Sequence, residues 1–158
     1  MNTEFLRAFA RRIATERRIT PADVAQLREH EATYDGEFDG LSVADTLLAI
    51  DAAAADSCEA WRSFFIDAMA DILVWGERPT GVVSAAIADW LLARIKLDGG
   101  RAASASHRAL LVALVREAHD CDPRLAATAF GYEAAAQNAP RAPVARTLGW
   151  LDASGLTI

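Results

Sequence analysis

With 158 residues, 53% of them hydrophobic, the chain has the length of one ordinary domain and enough apolar material for a core without staples or a structural metal. Its net charge of −6 argues against a nucleic-acid binder, because phosphate contacts need Lys and Arg gathered on one face. Charged residues break every apolar run well before the roughly 20 residues that span a bilayer, so no membrane span is expected.

Much of the apolar fraction is alanine in runs such as Ala52-Ala53-Ala54-Ala55 and Ala134-Ala135-Ala136, which favour helix. Nearly all positive charge is arginine, Lys96 being the lone lysine, a habit of GC-rich bacteria. The start, Met1-Asn2-Thr3-Glu4, lacks the basic and apolar regions of a signal peptide, so Cys58 and Cys121 read as reduced structural thiols in a cytoplasmic protein.

In chain order, Phe5, Phe9 and Ile13 recur every four residues and predict a first helix from Glu4 to about Arg18. Thr20-Pro21-Ala22-Asp23 opens a second, because Thr20 caps a free amide, Pro21 loses nothing at the first helical position and Asp23 suits the dipole. It ends at Tyr34-Asp35-Gly36. Ser42-Val43-Ala44-Asp45 repeats the cap for a third helix to about Asp56. Ser57 opens a fourth that carries Trp61, Phe64, Phe65, Ala68, Met69, Ile72 and Leu73 and is ended by Gly76 and Pro79. A fifth spans about Val83 to Leu97 and a sixth about Ser104 to His119. Asp122-Pro123 starts a seventh, and Pro140 and Pro143 precede a last short helix over about Val144 to Asp152. No period-two alternation long enough for a strand is present. The four tryptophans, Trp61, Trp75, Trp90 and Trp150, are expected in the core.

Asp35-Gly36 and Asp98-Gly99 lie 63 positions apart, and the same offset lays Val24 on Ile87, Leu27 on Trp90 and Leu47-Leu48 on Leu110-Leu111. The expectation is an all-α, compact bundle of about seven to eight helices containing two similar helix–Asp-Gly-turn–helix units. It is a single domain over 1–158, with an amphipathic helix over 1–18, a repeat-containing core over 19–120 and C-terminal helices over 121–158.

The pattern Ile19-Thr20-Pro21-Ala22-Asp23-Val24, Leu27-Arg28, Asp35-Gly36, followed by Trp61, Phe65, Ala68, Asp71, Pro79-Thr80-Gly81, Ala88-Asp89-Trp90-Leu91, Ile95 and Asp98-Gly99, is similar to alphaproteobacterial proteins related to the TerB tellurite-resistance family. It covers roughly residues 19 to 120. The resemblance implies a compact all-helical fold with acidic helix-loop-helix turns, a divalent-metal role in the tellurite-resistance branch, and no established enzymatic activity. Such relatives place a glutamate early in the helix after each Asp-Gly turn, whereas here those regions read Ser42-Val43-Ala44-Asp45 and Ser104-Ala105-Ser106-His107.

Asp35, Glu37 and Asp39, followed by Gly40, occupy positions one, three, five and six of an EF-hand loop, where alternating carboxylates converge on a hard cation. Position eight is Ser42 and position twelve Thr46, with Asp45 one place earlier, so a solvated acidic turn stands beside the cation reading. The second turn offers Asp98 and no further carboxylate before Glu117. His119-Asp120-Cys121-Asp122 brings together three kinds of metal ligand but lacks a second group at zinc spacing, and reads as a helix end with Asp122 capping the next helix.

Neither cysteine lies in a nucleophile signature; a close cleft holding Cys121 or His107 with a strongly perturbed titratable group would favour the enzyme reading. Arg7, Arg11 and Arg12, beside Phe5, Leu6, Phe9 and Ile13, form a candidate interaction surface for an acidic partner or anionic membrane, against the reading that this helix packs on its own domain.

The functional expectation is a non-catalytic, stress-related helical interaction or regulatory module of TerB-like type, with a protein partner or a second copy of the chain. The alternatives are a divalent-cation binder using Asp35, Glu37, Asp39 and Asp45, and an enzyme of unknown class.

Overall fold

The computed structural model describes residues 3–33, 39–95, 97–98, 101–102 and 104–131. Among the described residues seven α-helices carry the fold: α1 (Thr3–Glu16), α2 (Pro21–Thr33), α3 (Gly40–Ala53), α4 (Glu59–Ala70), α5 (Ala85–Leu92), α6 (Ala105–Glu117) and α7 (Pro123–Phe130). The protein is all-α, and no helix among the described residues is long and apolar enough to cross a membrane.

Local chemistry explains the starts. The Thr20 hydroxyl accepts from the Asp23 amide at 3.3 Å while the Asp23 carboxylate accepts from the Thr20 amide at 2.8 Å, a reciprocal cap for α2. Ser84 accepts from the Ile87 amide at α5, and Asp122 from the Arg124 amide at α7. At α3 the cap is Asp39, which accepts from the Ser42 amide, so the helix begins before Ser42 and that serine lies inside it, a correction to the expected start. Cys58, not Ser57, precedes α4, and its side chain makes no capping bond.

Other boundaries also differ. The apolar stripe read as one fourth helix is α4 followed by a π-helical turn over Asp71–Gly76. The fifth helix stops at Leu92 instead of Leu97. Strands, expected nowhere, occur as two-residue pairs too short to show alternation: β1 (Arg18–Ile19) parallel to β2 (Asp56–Ser57), β3 (Val82–Val83) parallel to β6 (Asp120–Cys121), and β4 (Leu97–Asp98) antiparallel to β5 (Arg101–Ala102). The Asp35-Gly36 turn, Gly99 and the last predicted helix lie outside the described residues.

From Arg17 to Ala70 and from Gly81 to Phe130 the chain takes the same order of strand, helix, helix, strand and helix, with β4 and β5 set between the two helices of the second stretch. Elements in like order are 64 positions apart, as in Arg18–Ile19 and Val82–Val83 or Asp56–Ser57 and Asp120–Cys121, which corrects the offset of 63 expected from the Asp-Gly turns. Arg17 and Gly81 also correspond, with φ of 57° and 81°. The Arg17 carbonyl accepts from the amides of Ala55 and Asp56, and the Gly81 carbonyl accepts from those of His119 and Asp120. Each bent carbonyl thus ties the entry of its first helix to the strand before its last.

Core residues run from Leu6 in α1 to Ala129 in α7, with Trp61, Phe64 and Phe65 among the largest fully buried side chains. α1 buries Leu6, Phe9 and Ile13 against α3, so its apolar face is used inside the molecule and is not offered to a membrane. α4 packs on α2 and α6, and α6 on α7. Trp75 departs from the expected core placement at 39% exposure, and Trp90 is half-buried under the Arg94 guanidinium at 4.4 Å.

Candidate functional site

Asp51 sits near the C-terminal end of α3, on the turn that follows the buried Leu47, Leu48 and Ile50. That placement carries its carboxylate inward, and the side chain is 8% exposed. A buried carboxylate needs donors, and two other helices supply them. The Trp61 indole of α4 donates to Asp51 Oδ1 at 3.0 Å, and the Ser106 hydroxyl of α6 donates to Oδ2 at 2.6 Å. A hydroxyl has one proton to give. Since Ser106 directs its own to Asp51, Ser104 is the donor in the 2.7 Å contact between the two serine hydroxyls. The result is a polarised chain, Ser104 to Ser106 to Asp51.

His107 completes the cluster. Its Nε2 lies 3.6 Å from Asp51 Oδ2, its ring packs on Phe65 at 6.4 Å, and both ring nitrogens are buried without a hydrogen-bond partner. Burial pushes the imidazole below its ordinary 6.5 and Asp51 opposes that shift only in part, so His107 is neutral at pH 7. Beside these groups opens a cleft of about 220 Å³, lined by Asp51, Ser57, Trp61, Arg62, Ser104 and Ser106 together with two alanines. Arg62, the lining cation, is paired with Glu59 at 2.6 Å.

The set is not a catalytic triad. Ser106 gives its proton to a carboxylate instead of an imidazole, and neither His107 nitrogen accepts from a hydroxyl, so no nucleophile and base are matched. Cys121 is no better placed: burial, with Asp122 and Asp120 close by, pushes its thiol up to about 11. A wider depression of about 470 Å³ at Phe5, Gln26, Glu29 and His30 has exposed Gln26 and Glu29 on its walls, with the Phe5 and His30 rings tilted against each other at 4.0 Å.

The sequence-predicted residues fall elsewhere. Asp35 and Glu37 lie outside the described residues, Asp39 caps α3, and Asp45 pairs with Arg94, including a second bond at 3.2 Å. Among the described residues no three His, Cys, Asp or Glu side chains gather as metal ligands would. Arg7 and Arg11 are exposed on α1, whereas Arg12 turns inward to Asp23 at 2.6 Å and Glu16 at 2.9 Å. Burial raises the Asp23 carboxyl, yet the Thr20 and Arg12 bonds outweigh it and hold the group below its ordinary range. Asp51, Ser106 and Ser104 were not singled out by their sequence pattern. An acidic residue one turn beyond Leu47 on a buried helix face was the signal available.

No protein-family model, curated protein or solved structure matches the chain.

Proposed function

We propose that the chain is a non-catalytic helical binding module of TerB-like type that takes a small polar ligand in the Asp51 cleft. The observation that carries this reading is a nearly buried carboxylate, held by an indole and a serine from two other helices, at the wall of an open cleft. Polar groups converging at a concavity are what a recognition site needs, and a core gains little from them: positions 64 later than Val43, Asp51 and Trp61 read His107, Val115 and Leu125, so the polar members have apolar counterparts in the other stretch.

The test is a thermal-shift panel of amines, amino acids, sugars and carboxylic acids on the wild type and on Ala105→Phe, which fills the cleft mouth from an exposed first-turn position. At ten times Kd a ligand adds about 1.4 kcal/mol, raising Tm by about 3 °C. That rise is expected in the wild type and absent in Ala105→Phe. A panel in which nothing raises the wild-type Tm, or in which Ala105→Phe responds equally, overturns the reading.

Trp75 supports a second reading, contact with another copy of the chain. It stands 39% exposed on the π-helical turn, edge-on to His119 at 5.6 Å, and exposed tryptophans anchor interfaces. Sedimentation velocity should show self-association that Trp75→Ala removes; a wild type that stays monomeric removes this reading.

A further inference from the structure

Resting on the cleft as a binding site, we infer that its ligand is a small molecule bearing a primary ammonium group. The first ground is uncompensated charge. The Asp51 side chain is 8% exposed and its close donors, the Trp61 indole and the Ser106 hydroxyl, are neutral. His107, within 3.6 Å, is neutral as well, and Arg62 is occupied by Glu59. Among the described residues Asp51 therefore meets no free countercharge; a buried anion left so is costly, and a cation in the cleft removes that cost.

The second ground is the arrangement of acceptors. A primary ammonium has three N–H donors and no acceptor. The cleft offers the Asp51 carboxylate, and the hydroxyl oxygens of Ser104 and Ser106 each keep free lone pairs once their protons point along the chain toward Asp51. Ser57 belongs to the same lining. A quaternary ammonium seeks aromatic faces, yet the lining aromatic, Trp61, is fully buried and turns its N–H to Asp51. A bare divalent ion would need several carboxylates, and one is present in this lining. The cleft volume of about 220 Å³ admits a molecule of several heavy atoms.

The test follows the Trp61 indole N–H by nitrogen–proton NMR on the full chain, because that group is bonded directly to the proposed anchor. Ethanolammonium chloride should move the resonance saturably, and tetramethylammonium chloride and sodium acetate at matched ionic strength should act at least about tenfold more weakly, a difference of about 1.4 kcal/mol. Asp51→Asn, which keeps shape and an acceptor but removes the charge, should abolish the ethanolammonium response. Ala105→Phe gives the same reading if the Asn variant fails to fold. Tetramethylammonium or acetate acting as readily as ethanolammonium would leave the cleft a binding site and overturn the ammonium assignment. Silence to all three, with amino acids and sugars also inert in the thermal panel, would remove both.

Discussion

The stretch from Arg17 to Ala70 and the stretch from Gly81 to Phe130 share one order of elements but settle their polar groups differently. In the first, the end of α3 and the start of α4 supply Asp51 and Trp61, a carboxylate and its donor; at the corresponding positions the second has Val115 and Leu125, with Leu125 fully buried. Conversely, α6 supplies His107 where α3 supplies the buried Val43. The apolar choice meets the needs of packing in each case. The polar choice, which gathers Trp61 and His107 about Asp51 at the cleft, therefore calls for a reason other than the fold.

The largest effect should come from making the first stretch resemble the second. Trp61→Leu opens a void and deprives Asp51 of a donor, at an expected cost of about 3 kcal/mol by urea denaturation. Adding Asp51→Val removes the stranded acceptor, so the double variant should lie about 1–2 kcal/mol above the sum of the singles. Strict additivity would show that the pair is not coupled.

Gly81 and Arg17 sharpen the comparison next. Both take left-handed backbone, but a Cβ at Gly81 would meet His119 Nδ1 at 2.8 Å, whereas Ala55 stands at the position corresponding to His119. Gly81→Ala should therefore destabilise by about 2 kcal/mol. Arg17→Gly should stabilise by about 0.5–1 kcal/mol, since it relieves a positive φ. Equal and opposite small effects at the two sites would contradict the role given to His119.

His107 separates the stretches by pH. Its folded pKa is depressed, so the folded state binds fewer protons than the unfolded one. Its contribution is present above the ordinary 6.5 and is lost as pH falls through the folded value. His107→Val, which copies Val43, should flatten stability against pH within that window. The acid loss from Asp23, whose carboxyl is held below its ordinary 3.8, should persist at lower pH. A gain of about 1 kcal/mol is expected from Cys58→Asp, which gives α4 the cap that Asp122 gives α7; thermal denaturation would measure it.

The helices were legible where caps are written locally, as at Thr20-Pro21 and Asp122-Pro123. The strand pairs were not, because two residues carry no periodicity and their partners lie far along the chain. Nor was the π-helical turn, since the apolar spacing through Ile72 and Leu73 continues that of α4. The cleft was hidden for the same reason as the strands: Asp51 meets Ser106 across 55 positions, and among 22 acidic residues it carried no mark beyond its place on an apolar helix face.

The claim that Asp51 anchors a ligand is tested most directly by a crystal structure of the chain grown with ethanolammonium. The nitrogen should lie about 2.7–3.2 Å from an Asp51 carboxylate oxygen and from Ser104 Oγ. Density for the ligand elsewhere, or only ordered water in the cleft at saturating concentration, would contradict it.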